Sequence, residues 1–112
     1  MEDELWGRVG KLRTWLDDQA DEVPVADVRL LRILKIGEEF GEASEAVHGA
    51  LGANPRKGRS HTWGDVESEL ADVIVTAMVA LDTISGDGRA VLAERLRYLV
   101  ERVGLEKHAE VG

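Results

Sequence analysis

The chain has 112 residues, 44% of them hydrophobic and 32% charged, and its 22 acidic side chains outnumber 14 basic ones to leave a formal net charge of −8. That length suits one domain, residues 1–112, with a core expected over about 3–104, but the margin for a single hydrophobic core is thin and oligomerisation is a natural source of further burial. The acidic balance excludes binding to nucleic acid or an anionic membrane through the general surface, since both are polyanions, and the absence of cysteine excludes disulfides and thiolate metal sites.

The start, Met1-Glu2-Asp3-Glu4, is acidic and runs straight into a helical pattern, without the basic and apolar order of a secretion signal. Leu5, Val9, Leu12 and Leu16 recur at helical spacing and predict a first helix over about 3–19. Asp21-Glu22-Val23-Pro24 makes the turn, with Pro24 suited to the first position of a second helix that runs to about Leu51 and stops at Gly52. Residues 52–61 mix helix breakers with three basic side chains and predict a loop. Thr62 followed by Asp65 resembles an N-cap with an acidic first turn, opening a third helix to about Ser85. Gly86-Asp87-Gly88 is a turn, and Leu92, Leu96, Leu99 and Val103 mark a fourth helix ending near Gly104, with the last eight residues expected to fray. The longest apolar run, Val73 to Leu81, is too short to span a bilayer, so the expectation is a cytoplasmic protein. Short turns and the absence of alternating strands predict an all-α, antiparallel four-helix bundle-like domain, oligomeric because a single layer of helices this short cannot easily cover Val73 to Leu81.

On a helical wheel with Ile36 at zero, Phe40, Ala43 and Val47 fall within about 40° and define the expected core face of the second helix. Glu39 lies about 60° to one side and Glu42 about 120°, with Ala46 between them, while Glu38 and Glu45 are nearly opposite. In the third helix Val66, Leu70, Val73, Ile74, Ala77 and Leu81 define the expected core face, and Glu69 and Asp72 share one flank. Each helix therefore offers two carboxylates at i and i+3 beside the core. Hard divalent cations take oxygen ligands of this kind, and converging carboxylates repel unless a cation sits among them. The plain alternative is a set of solvated or salt-bridged glutamates, with Arg32, Lys35 or Arg97 as partners.

Glu38-Glu39-x-x-Glu42 followed by Glu69-x-x-Asp72, with Leu34-Lys35-Ile36 before the first motif and Leu70-Ala71-Asp72-Val73-Ile74 around the second, resembles the signature of the MazG-like all-α nucleoside triphosphate pyrophosphatases over residues 34–81. The resemblance implies a Mg²⁺-dependent hydrolase that cleaves a nucleoside triphosphate to monophosphate and pyrophosphate. It implies Glu39, Glu42, Glu69 and Asp72 as metal ligands, Mn²⁺ as a substitute ion, and Glu38 as a water-activating or supporting residue, so that Glu38 and Glu39 are the catalytic candidates. It also implies a homodimer or homotetramer with the nucleotide site near a subunit interface. Arg56, Lys57 and Arg59 lie between the motifs and are candidates for phosphate contact, together with Lys35 and Asn54, while Trp63 beside the basic loop is the candidate for stacking on a base. Trp6 and Trp15 are expected to pack the fold. The only asparagine is Asn54, ahead of the second motif, whereas many relatives carry asparagine and basic residues after it.

Two rival functions remain open from sequence: a non-catalytic helical oligomerisation or binding module, and a phosphohydrolase of another pyrophosphate-containing metabolite. Glu45-x-x-His48 has the spacing used in di-iron bundles, but no second such element exists. His48, His61 and His108 are read as surface residues.

Overall fold

The computed structural model describes residues 1–106 and contains four helices: α1 (Glu2–Gln19), α2 (Val25–Leu51), α3 (Trp63–Ser85) and α4 (Gly88–Arg102). Residues 107–112, which hold His108 and most of the segment expected to fray, lie outside the described residues. No strand occurs among the described residues, and none of their helices is long and apolar enough to cross a membrane.

Local chemistry sets the helix ends. Pro24 is the N-cap of α2 rather than its first residue. Gly52 ends α2 at φ 65°, a left-handed conformation that glycine adopts without a Cβ clash. At the start of α3 the Thr62 N–H donates to Asp65 Oδ2 at 2.8 Å, and the Asp65 N–H donates to Thr62 Oγ1 at 3.2 Å. This capping box satisfies two backbone donors at once. The same bonds hold the Asp65 carboxyl below its ordinary value, the Thr62 backbone donor contributing most.

α3 is the central element. It packs most extensively on α2 and less so on α1 and α4. One face of α3 meets α2 through small side chains: Ala46 and Ala50 cluster with Val66, flanked by Val47. Another meets α1, where Val9, Met78 and Val79 are buried and Trp6, Leu16 and Val75 pack against them. Asp82 links three helices, since its Oδ2 takes Arg13 Nη1 of α1 at 3.3 Å and its Oδ1 accepts the Gly88 N–H of α4 at 2.9 Å. Arg32 of α2 reaches Asp17 of α1 at 2.6 Å and donates to Thr83 Oγ1 of α3 at 2.8 Å.

The expected core faces require correction. In α2 the buried residues are Ala43, Ala46, Gly49 and Ala50, whereas Phe40 is 65% exposed. On the wheel the buried face is centred about 60° from Ile36, in the direction of Glu39 itself. In α3, Val66 is buried as expected, but Leu70 and Ile74 are at least half exposed. Leu92, Leu96 and Leu99 of α4, Val103 just after it, and Leu5 and Leu12 of α1 are also exposed. Small residues let the α2 and α3 backbones approach, and the large apolar side chains are left on the outside.

Candidate metal centre

Because the seam between α2 and α3 points along the Glu39 direction, Glu39 is drawn inward, and its side chain is only 14% exposed. The antiparallel pairing sets it against the first turns of α3. One carboxylate oxygen each from Glu39, Glu69 and Asp72 comes together, all within 4.8 Å of one another. On an octahedral Mg²⁺ ion adjacent ligands stand about 3 Å apart and opposite ones about 4.2 Å, so the three oxygens would have to close in for one cation to take them all. Glu39 and Glu69 are half-buried, and Asp72 is exposed at the mouth.

The remaining hydrogen-bonding capacity of the group is informative. Glu69 Oε2 is buried and accepts no hydrogen bond. A sealed carboxylate oxygen without a donor costs free energy, whereas a cation beside it would complete its coordination. The one cationic neighbour recorded for the group is Lys35, whose Nζ lies 3.8 Å from Glu39 Oε1 and 3.4 Å from Glu38 Oε2. Of the salt-bridge partners expected for these acids, Arg32 is committed to Asp17 and Arg97 to Glu94 and Glu101. The group thus keeps a surplus of negative charge, and its donor set is all oxygen, as a hard cation requires.

Glu42 stands apart. It is exposed, and it is not one of the three whose oxygens converge. On the wheel it stands about 60° from the centre of the buried face, between Ala46 and Gly49, and its side chain is left exposed all the same. Glu38 lies on the exposed side of α2 and is held by Lys35.

The basic loop occupies a different face. A cavity of about 540 Å³ lies between the loop and the α2 face bearing Gly41, Glu45 and His48, with Asn54 and Lys57 on its other wall. Those α2 residues point on average about 160° away from Glu39 around the helix. Asn54 Oδ1 accepts the Arg56 N–H at 3.0 Å and so shapes the loop itself. Arg56, Lys57 and Arg59 make no recorded ion pair with any described residue. Trp63, the first residue of α3, is 57% exposed and lies about two turns before Glu69. Of the six phosphate and substrate candidates, only Lys35 has a recorded contact with the converging acids.

A groove that sequence reasoning missed adjoins the acids instead. It lies between α1, α2 and α3, has a volume of about 350 Å³, and runs from Leu12 and Trp15 to Lys35 and Thr76. Trp6 packs the α1–α3 core as expected, but Trp15 is 59% exposed and forms a wall of this groove. The signal was weak because Trp15 follows the same helical repeat as core residues and only the meeting of three helices gives it a cavity.

Comparison with protein-family models, with curated proteins and with solved structures finds no match.

Proposed function

We propose that Glu39, Glu69 and Asp72 bind a divalent cation, Mg²⁺ by the chemistry of its donors, and that the protein is a Mg²⁺-dependent hydrolase of nucleoside triphosphates releasing monophosphate and pyrophosphate. The observation that carries this reading is the convergence of three carboxylate oxygens within 4.8 Å, with a buried Glu69 oxygen that no protein donor satisfies. A bound Mg²⁺ would neutralise the polyphosphate and stabilise charge developing at phosphorus. Lys35, half-exposed at the edge of the group, is positioned to meet a further phosphate oxygen. Glu38 is the candidate to take a proton from the attacking water, because it adjoins the group without belonging to it. The motif resemblance supplies the reaction, and the all-oxygen donor set is consistent with it.

The same reading includes a closed bundle formed with further copies of the chain, as a homodimer or homotetramer. The accessible surface is 8507 Å², against about 6,100 Å² for a compact monomer of this mass, and the radius of gyration is 17.8 Å, against about 13 Å. The excess is apolar in large part, since Leu34, Phe40, Leu70, Ile74 and Leu96 are each at least half exposed.

The test is release of pyrophosphate from a panel of nucleoside triphosphates with Mg²⁺ and with EDTA. Mg²⁺-dependent pyrophosphate release is expected. Cleavage of no nucleotide, together with no Mg²⁺ binding, would contradict the proposal.

A further inference from the structure

We infer that the cavity between α2 and the 53–61 loop binds a small phosphorylated polyol, of the sugar-phosphate class, at a site separate from the converging acids. The distribution of charge is the first reason. In a chain of net charge −8, residues 46–64 carry Arg56, Lys57, Arg59, His48 and His61 and no acid. The three permanent cations make no ion pair with a described residue. Like charges held on one short loop repel, and an anion among them would relieve that repulsion. The second reason is that the loop is shaped. The Asn54 carbonyl accepts the Lys57 N–H at 3.2 Å and the Gly58 N–H at 2.9 Å, and Asn54 Oδ1 accepts the Arg56 N–H at 3.0 Å. Gly58 turns the chain at φ 61°. The Arg59 side chain then lies against Gly52, and Ser60 and His61, joined Oγ to Nδ1 at 2.9 Å, fill the space that a Cβ on Gly49 would need.

The negative end of the α2 dipole is partly covered at this end, the Gly49 oxygen by the Gly52 N–H and the His48 oxygen by the Ala53 N–H. The space left between helix and loop, about 540 Å³, falls within the range of small-molecule sites. Its walls decide the ligand class. Lys57, His48 and the hydroxyls of Ser44 and Ser60 can all donate to a phosphate. Asn54 spends its Oδ1 on the loop and keeps its amide N–H₂ for a ligand. Glu45 is the one carboxylate of the lining. It repels a bare anion but accepts from hydroxyl groups. The rest of the lining is glycine, alanine and proline, with no tryptophan, tyrosine or phenylalanine to stack on a base and no large aliphatic side chain to hold a lipid tail. A molecule with a phosphate at one end and several hydroxyls at the other uses every polar group of this set. Inorganic phosphate uses only the donors and meets Glu45 unscreened. Because this face of α2 points away from Glu39, occupancy needs neither the acids nor Mg²⁺.

The experiment titrates ribose 5-phosphate, ribose, inorganic phosphate and a single-stranded oligodeoxynucleotide into the full chain by calorimetry, in EDTA. It compares the parent with Lys57→Ala, Glu45→Gln and Glu39→Gln. Lys57 and Glu45 are both exposed, so their variants keep the fold. Ribose 5-phosphate is expected to bind once per chain, about tenfold or more tighter than phosphate or ribose alone. Lys57→Ala should weaken it by about tenfold or more. Glu45→Gln should weaken ribose 5-phosphate and leave phosphate unchanged or tighter, so that the preference between them falls. A loop that merely attracts anions would not show that change. Glu39→Gln should alter neither ligand. No saturable binding of ribose 5-phosphate at millimolar concentration would overturn the inference, as would phosphate binding equally tightly. Loss of binding in Glu39→Gln with retention in Lys57→Ala would overturn it by moving the ligand to the acids. Tighter binding of the oligodeoxynucleotide than of ribose 5-phosphate would overturn it in favour of nucleic acid.

Discussion

A carboxylate oxygen sealed from water without a donor is costly, and Glu69 Oε2 is in that position with two further carboxylates close by. Glu69→Gln supplies an amide N–H₂ to the same space and removes one of three like charges. In EDTA it is expected to unfold at an equal or higher urea concentration than the parent, by up to about 1 kcal/mol, while losing activity. A large loss of stability in EDTA would mean that Glu69 has a structural partner instead. Asp82 is the contrasting case, an acid with both oxygens used, on Arg13 and on the Gly88 N–H. Asp82→Ala removes the acceptor of both donors at a junction of three helices, leaving Arg13 only Asp17, and urea titration should show a loss of about 1–3 kcal/mol whether or not Mg²⁺ is present.

At the scale of the element, the Thr62–Asp65 box makes the start of α3 sensitive to acid. Bonding lowers the Asp65 carboxyl from its ordinary value of 3.8, so its contribution is present above that value and is lost as pH falls through the depressed one. The melting-temperature difference between parent and Asp65→Asn should therefore be full at neutral pH and shrink below about pH 4. Gly49 marks a second local constraint. A Cβ there would meet His61 Nδ1 at 2.1 Å and Ser60 Oγ at 2.6 Å, so Gly49→Ala must displace the Ser60 and His61 side chains that pin the end of the 53–61 loop to α2. Faster amide exchange at residues 53–61 in Gly49→Ala is the expected readout. The four helices and their ends were legible in sequence because proline, glycine and capping residues act locally. The helix faces were not, because the largest apolar residues, Ile36 and Phe40, set the wheel's origin. The α2–α3 seam is instead built from Ala43, Ala46, Gly49 and Ala50, and that rotation brings Glu39 in, while Glu42, about 60° from the centre of the face, stays exposed. Spacing thus singled out the three acids that the structure brings together, Glu39, Glu69 and Asp72. The groove beside them was not legible, because residues from three helices meet there and no local pattern records the meeting.

For the whole molecule, the principal extents of 62 × 45 × 24 Å and the exposed large apolar side chains describe a chain that covers only part of its own hydrophobic surface. Sedimentation at micromolar concentration is expected to give a dimer or tetramer, and a 12.3 kDa monomer would contradict the oligomer. The central claim, however, concerns the cation. Thermal unfolding of the parent, Glu39→Gln and Asp72→Asn in EDTA and in Mg²⁺ tests it most directly. If the three carboxylates hold the ion, Mg²⁺ at a hundredfold excess over its dissociation constant stabilises the parent by about 2.7 kcal/mol, a rise on the order of 10 °C. Both variants then melt in EDTA at or above the parent and gain little from Mg²⁺. If Mg²⁺ leaves the parent unmoved and both variants lose stability equally in EDTA and Mg²⁺, the acids are structural and the account is contradicted.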